Sequence, residues 1–403
     1  MTIGEGSSIA APASLTQLRL YDFRNYGAVA LELGPGLNIF VGENAQGKTN
    51  LLEAVATLVL TRSPRAVTQD LIRWGASEAA VDGVVAHHGT TEALSLRLHR
   101  QVENAENGLG AGDGEPRQPA STRVVRTTLL DGTHIAAREL LGRSPAVLFW
   151  PDDLQLVKAG PEGRRRLLDI LLSQLDRRLA DDLVRYRRVV EQRNALLRRI
   201  RVAGGGHRAD LPAFDDALIQ HGARIQVARA GLIRALSPLA AVAMASISGS
   251  RERLTLRYLP DGGDGGEDVF TVAERLRQAL ELRSEDEMAR GVTLVGPHRD
   301  DMEYEIDGRP ARSTASQGQQ RSAVLATKLA EVQLLRHRSA RTPILLLDDV
   351  LSELDGGRRQ RLLDAVEDGG SGPQTLVTCS NDEHLADRTA RRYRVSGGNV
   401  VAL

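Results

Sequence analysis

Residues 37–59 read LNIFVGENAQGKTNLLEAVATLV, and the order of residue types in this stretch decides the fold. Leu37 to Val41 is a short apolar run of the length of a buried strand, and beyond Thr49 the residues Leu51, Leu52, Val55 and Val59 recur at helical spacing. Between them, Gly42-Glu43-Asn44-Ala45-Gln46-Gly47-Lys48-Thr49 fits the phosphate-binding loop pattern GxxxxGK[ST]. The strand before it and the helix after it are the context that pattern requires. Glycines let backbone N–H groups turn inward around phosphate oxygens, Lys48 reaches the β and γ oxygens of a nucleotide, and the Thr49 hydroxyl is suited to ligate Mg²⁺. The only lysines are Lys48, Lys158 and Lys328, and arginine supplies every other positive charge, so lysine at position 48 is a specific choice.

A second apolar strand, Ile344-Leu345-Leu346-Leu347, ends in Asp348-Asp349. This is a Walker B ending: Asp348 is expected to hold Mg²⁺ through water, and Asp349 to orient or deprotonate the water that attacks the terminal phosphate. A third element, Ser316-Gln317-Gly318-Gln319-Gln320-Arg321, opens an amphipathic helix running through Leu325, Leu329, Val332 and Leu335. Ser316 can cap it, and the free N–H groups at such a start suit the γ-phosphate of ATP. The SQGQQ string resembles the signature motif of ABC-type ATPases, which completes the site of a partner subunit and so implies an ATP-dependent dimer. Ser352-Glu353-Leu354-Asp355 resembles the D-loop of that class. A plain cap and a simple turn are the alternatives for these two strings.

Around the motifs, LTQLRLYDF and AVALEL alternate as two early strands, and residues 79–150 are expected to form short strands with Asp131-Gly132 as a hairpin turn. ENGLGAGDGEPRQPAS reads as a flexible loop. Pro161 to about Arg201 is helical and arginine-rich, broken by GGGHRAD and resumed from Pro212 to about Ala245. RLTLRYL is a strand, PDGGDGGED a loop, and one more helix reaches Gly291. The expected division is a disordered tail at 1–14, an ATPase part at 15–160, a helical insertion at 161–290 and a second ATPase part at 291–403. The fold class is therefore α/β, an ABC-type P-loop ATPase head built from the N- and C-terminal segments with an inserted, mostly helical lobe.

Bulk properties narrow the function classes. Lys+Arg and Asp+Glu are both 52, so no whole-molecule positive field points to nucleic acid, and any DNA binding rests on local patches. The single cysteine, Cys379, excludes an intrachain disulfide and any Cys-based metal cluster; within the apolar run TLVTC it reads as core packing. The start MTIGEGSSIAAPAS lacks the basic and apolar parts of a signal peptide, and no run approaches the roughly 20 apolar residues that span a bilayer, so a cytoplasmic protein without a membrane partner is expected.

Finer strings carry a closer resemblance. Phe23-Arg24-Asn25-Tyr26, GENAQGKTNLLEA, FWPDDLQLVKAGPEGRRRLLD, Gln192-Arg193-Asn194, Gly296-Pro297-His298-Arg299-Asp300-Asp301, ASQGQQRS and LLLDDVLSELD follow in the order of the RecF family, over roughly Leu15 to Ser380. The chain is similar to that family within the wider SMC and Rad50 type of head. The resemblance implies ATP and Mg²⁺ as cofactors, dimerisation on DNA with ATP, and slow DNA-stimulated hydrolysis. It also implies action on duplexes and single/double-strand junctions with RecO and RecR, placing RecA on gaps coated by single-strand-binding protein.

By position it implies Arg24 near the phosphates, Lys48 and Thr49 in the loop, Ser316, Gly318 and Gln319 across the dimer, and Asp349 as the water-activating acid. Two departures stand out: Ala45 where the family usually has Gly, and Ser63-Pro64-Arg65 in a segment that usually lacks proline, which puts a nucleotide or DNA role for Arg65 in doubt. A transporter ATPase subunit, another SMC-like head, a small-molecule kinase and a nuclease-linked head are the rival classes. The runs Arg164-Arg165-Arg166, Arg177-Arg178, Arg187-Arg188 and Arg198-Arg199 are candidate phosphate contacts or solvated faces; Trp74 and Trp150 read as core or lobe-packing residues; His298 reads as a turn residue or a group near the nucleotide.

Overall fold

The alternation of Leu18 and Leu20 with Arg19 and Tyr21 gives strand β1 (Ser14–Phe23) one buried and one wetter face. The computed structural model describes residues 14–87, 89–103, 121–202, 208–263, 268–339, 341–367 and 372–403. The expected tail at 1–14 is one residue shorter, since Ser14 already opens β1; residues 1–13, most of the ENGLGAGDGEPRQPAS loop, and parts of GGGHRAD and PDGGDGGED lie outside the described residues.

After β1 come β2 (Tyr26–Glu32), β3 (Leu37–Val41), α1 (Lys48–Leu60), β4 (Glu78–His87), β5 (Thr90–Glu103), β6 (Ser121–Leu130), β7 (Thr133–Ile135), α2 (Ala137–Leu140) and β8 (Ala146–Phe149). Then follow α3 (Pro161–Leu175), α4 (Arg177–Val202), α5 (Leu211–Ser248), β9 (Leu254–Leu259), α6 (Val269–Arg290), β10 (Asp301–Ile306), β11 (Arg309–Pro310), α7 (Ala311–Thr314) and α8 (Gln317–Arg338). The chain closes with β12 (Ile344–Asp348), α9 (Gly356–Glu367), β13 (Thr375–Cys379), β14 (Ala390–Ser396) and β15 (Asn399–Ala402). Strand β3 and the hairpin at Asp131-Gly132 fall as the sequence predicts, with φ of 49° and 78° at the turn residues. The strands of residues 79–150 are not all short: β5 runs for 14 residues because its partners β4 and β6 pair along most of its length.

Two compact units make up the chain. The first comprises Met1–Leu148, Arg341–Asp355 and Leu363–Leu403, the second Phe149–Ala340 and Gly356–Leu362. By packing, then, the borders fall at 148/149 and 340/341 where the sequence put them at 160/161 and 290/291; α8 packs along α5, which draws residues 291–340 into the second unit.

The first unit holds an antiparallel six-stranded sheet, order β2-β1-β4-β5-β6-β7, and a second sheet, order β15-β14-β3-β13-β12-β8. In the second sheet β14, β3, β13 and β12 are mutually parallel neighbours. Helix α1 contacts β1, β4 and β5 of one sheet and β12 and β13 of the other, which is why its residues from Leu51 to Leu60 are buried all round. Register fixes the site: Asp348 of β12 lies opposite Thr378, and Cys379 of β13 opposite Val41, so three strand C-termini end at one edge. Cys379 is buried, and burial pushes its thiol up to about 12, in keeping with an inert core residue.

In the second unit, α5 packs against α4, α6, α8 and β9. Its core includes Tyr186, Leu218, Ile219, Ala223, Val272, Leu276 and Val295, with a second cluster of Leu196, Leu197, Ile200, Leu211 and Met288. The expected single helix from Pro161 to Arg201 is two helices, because the chain turns extended at Asp176, whose carboxylate accepts from the N–H of Arg178. The segment Arg208–Ser248 is long and apolar enough by length and composition to cross a membrane, although the sequence was expected to hold no such segment. In the fold it is a core helix with Leu232, Leu236, Ala240, Met244 and Ile247 buried.

Candidate nucleotide-binding site

In the first unit, the loop from Gly42 to Lys48 is braced on both sides. Tyr26 donates its hydroxyl to the Gly47 carbonyl at 2.8 Å, and Asn25 Nδ2 donates to the Gln46 carbonyl at 3.1 Å. From the β14–β15 turn, Gly397 N–H donates to Gln46 Oε1 at 2.7 Å and Gly398 N–H to the Gln46 carbonyl at 3.3 Å. Gly47 takes φ 114°, and a Cβ there would stand 2.5 Å from Asn25 Nδ2; at Gly42 it would stand 2.3 Å from the Val395 carbonyl oxygen. Both positions therefore demand glycine. Glu43, Asn44 and Ala45 form the exposed crest, and Ala45 takes φ 65°, so the departure seen in the sequence places a Cβ in left-handed backbone.

Lys48 is buried and donates to the carbonyls of Gly42 at 2.7 Å and Glu43 at 2.8 Å, which folds its ammonium back into the loop. Thr49 Oγ1 lies 3.0 and 2.8 Å from the two Asp348 oxygens, and Thr378 Oγ1 donates to Asp348 Oδ1 at 2.7 Å. Burial pushes the Asp348 carboxyl up from the ordinary carboxylate range, against the hydrogen bonds from Thr378 and Thr49 and the nearby charge of Arg65. Asp349 has φ 51°; its N–H donates to Thr378 Oγ1 at 3.0 Å, and its Oδ1 is buried with no hydrogen-bond partner among the described residues. The structure thus brings Lys48, Thr49, Asp348 and Asp349 to one strand edge. Two adjacent acids, one of them with an unsatisfied buried carboxylate oxygen, and a hydroxyl form a donor set of the all-oxygen kind that suits Mg²⁺.

Arg24, expected beside the phosphates, has φ 57° and holds Glu53 with Nε at 2.8 Å and Nη2 at 3.0 Å, while Nη1 donates to the Asp70 carbonyl at 2.9 Å. Glu53, Asn25, Tyr26, Thr378 and the Gly397-Gly398 turn are participants that motif reading passed over. Asn25, Tyr26 and Glu53 do lie in strings that carry the resemblance.

In the second unit, Ser316 and Gln319 form a reciprocal capping box at the start of α8: Gln319 N–H donates to Ser316 Oγ at 3.2 Å and Ser316 N–H to Gln319 Oε1 at 2.8 Å. Gly318 lies under the Arg358 guanidinium, whose nearest nitrogen would be 2.7 Å from a Cβ there. His298 accepts the Tyr186 hydroxyl at Nδ1 over 2.7 Å and donates from Nε2 to the Thr293 carbonyl at 3.2 Å, and burial lowers its pKa. Asp300 is fully buried and accepts from Arg229 at 3.0 Å, from Gln226 at 2.7 Å and from Tyr258.

Some candidate nucleic-acid groups are corrected. Arg164 is buried and binds Asp301 at 2.6 and 2.9 Å, so it holds α3 to β10 and is withdrawn from any phosphate contact. Trp150 is buried as expected, but Trp74 is 97% exposed on the turn after Arg73 and packs in no core.

Sheet order, strand-edge loop and paired acids define the class: the fold is that of an ABC-type ATPase head with a helical insert. The family described as RecF/RecN/SMC N terminal domain matches residues 14–399. The chain is 40% identical over 396 residues to a DNA replication and repair protein RecF of Symbiobacterium thermophilum, covering 96% of this chain and 98% of that protein. It is 32% identical over 389 residues to the RecF of Staphylococcus aureus, covering 96% of this chain and 99% of that one. A solved structure of the recombination mediator protein RecF-ATP in the RecFOR pathway superposes with a TM-score of 0.84 at 29% identity, covering 99% of this chain and 100% of that one. The Smc head domain of Pyrococcus furiosus, with a TM-score of 0.54 at 17% identity and coverage of 97% and 96%, shares the fold. The chain belongs to the RecF family.

Proposed function

We propose that the chain is an ATP-dependent, DNA-binding recombination mediator that acts in repair and replication as an ATP-gated dimer with RecO and RecR, and through them on RecA. The observation that carries the reading is the pairing of Thr49 with Asp348 at the foot of a braced phosphate-binding loop. The RecF names of the full-length relatives and the RecF-ATP structure support it.

In this reading, backbone N–H groups of Gly42 to Gly47 cradle the phosphates and Lys48 neutralises the β and γ oxygens. Thr49 and Asp348 would hold Mg²⁺, which when bound supplies charge against that developing on the phosphates. Asp349, with its unsatisfied oxygen, accepts a proton from the attacking water and orients it in line. Ser316, Gly318 and Gln319 would complete the site of a second copy, so ATP favours the dimer and slow, DNA-stimulated hydrolysis releases it. Residues 15–160 and 291–403 serve as the ATPase parts and 161–290 as the arm, in a cytoplasmic protein.

The test is ATP binding and hydrolysis, with and without gapped DNA, for the wild type, Lys48→Arg and Asp349→Asn. Asp349→Asn should keep ATP binding and lower kcat by about 10²-fold or more, while Lys48→Arg should lose most hydrolysis. Full DNA-stimulated activity in Lys48→Arg would overturn the assignment of the loop.

A further inference from the structure

We propose that Asn25 is a positioning residue for the nucleotide: together with the N–H of Gly398 it pins the Gln46 carbonyl and so aims the N–H of Gly47 at the phosphates. The inference rests on reading Gly42 to Thr49 as a phosphate-binding loop. Such a loop works through backbone N–H groups, and their directions are set one peptide plane at a time. Across a trans peptide the carbonyl and the following N–H point opposite ways, so holding the one aims the other. The Gly47 carbonyl is already aimed by the helix, since it accepts the Leu51 N–H at 3.0 Å where α1 begins. The Gln46 carbonyl precedes that ladder, and its donors come from two other turns: Asn25 Nδ2 at 3.1 Å and the Gly398 N–H at 3.3 Å. Gly47, at φ 114°, has no Cβ to restrain the peptide before it, so these two donors are what keeps that peptide from turning over.

Both donors are themselves held in place. Asn50 Nδ2 donates to Asn25 Oδ1 at 2.9 Å, which leaves Nδ2 as the end of the Asn25 amide that faces the loop. On the other turn, Gly397 N–H donates to Gln46 Oε1 at 2.7 Å. A Cβ at Gly398, where φ is 79°, would stand 2.5 Å from the Asn25 carbonyl oxygen, so the two turns meet at the closest approach glycine permits. Segments remote in sequence thus converge on one peptide of the loop. On the face turned away from them, that peptide presents the Gly47 N–H, a donor that the loop reading assigns to phosphate.

The experiment uses the full chain and measures affinity for the fluorescent analogues mant-ATP and mant-ADP, kcat at saturating ATP with gapped DNA, and thermal melting without nucleotide. The variants are Asn25→Ala, Asn50→Ala and the double mutant. Asn25→Ala should weaken both nucleotides about fivefold and by the same factor, because the loop N–H groups cradle phosphates that ATP and ADP share. Its kcat should stay within about twofold of wild type and its melting should not move, since the lost constraint acts on binding alone. Asn50→Ala should act in the same direction and more weakly, and the double mutant should bind no more weakly than Asn25→Ala, because Asn50 acts through Asn25. Unchanged affinity in Asn25→Ala, a loss confined to mant-ATP, a parallel fall in affinity, melting and kcat, or multiplying effects in the double mutant would each overturn the inference. A wild-type chain that binds neither analogue would instead remove the reading of the loop itself.

Discussion

Two residues of the phosphate-binding edge carry backbone strain: Ala45 and Asp349 sit in left-handed conformations, at φ of 65° and 51°. A Cβ in that region costs about 1–2 kcal/mol, and such residues persist where surrounding structure over-determines them. Here the braces from Asn25, Tyr26 and the Gly397-Gly398 turn supply the constraint. Ala45→Gly should therefore stabilise the chain by about 1 kcal/mol in urea unfolding without lowering ATP affinity; a destabilised variant would contradict the strain. The meeting of Lys48, Thr49, Asp348 and Asp349 at one strand edge, and the awkward Ala45, were legible in the sequence, because residue types at fixed spacing mark such an edge. The braces were not, since a tyrosine hydroxyl reaching a loop carbonyl depends on which strand the fold sets beside it. Trp74 was misread for the same reason: loop residues carry no period from which exposure follows.

Among elements, the helices of the second unit are joined by buried ion pairs. Arg193 of α4 donates to Asp215 of α5 at 2.7 Å, to Thr293 at 3.0 Å and to the buried Glu287 of α6 at 2.7 Å. Asn194 beside it accepts from both Thr293 N–H and its hydroxyl at 2.7 Å. The Gln192-Arg193-Asn194 string, a mark of resemblance in the sequence, thus fastens three helices. Arg193→Ala takes the ion-pair partner from the buried Glu287, and unfolding should show a loss of about 3–5 kcal/mol; Arg193→Met with Glu287→Gln should cost much less. Equal losses in the two variants would mean that packing, and not charge, joins these helices. Element type and order were readable from periodicity almost throughout. The break at Asp176 was missed because the apolar spacing runs on across it and only the side-chain cap of Asp176 betrays it. The arginine runs misled for a chemical reason: in a chain that writes nearly every cation as arginine, a buried partner such as Arg164 looks like a surface charge.

At the scale of the molecule, a chain with no net charge gives no field to draw DNA, and the reading places affinity in patches that act when two copies close around ATP. The architecture of the head was legible because its phosphate-binding loop and paired acids, far apart in sequence, meet at adjacent strand ends. The packing border was not, since α8 carries a head motif while its apolar face lies along the helical unit. The central claim is ATP-gated binding to DNA by a dimer. It is tested most directly by measuring binding to gapped duplex DNA with ATP, with ADP and without nucleotide, at two salt concentrations, with mass determined on the same samples. Tight, steeply salt-dependent binding by a dimer that forms only with ATP is the expected result. Monomers that bind no DNA whichever nucleotide is present would contradict it.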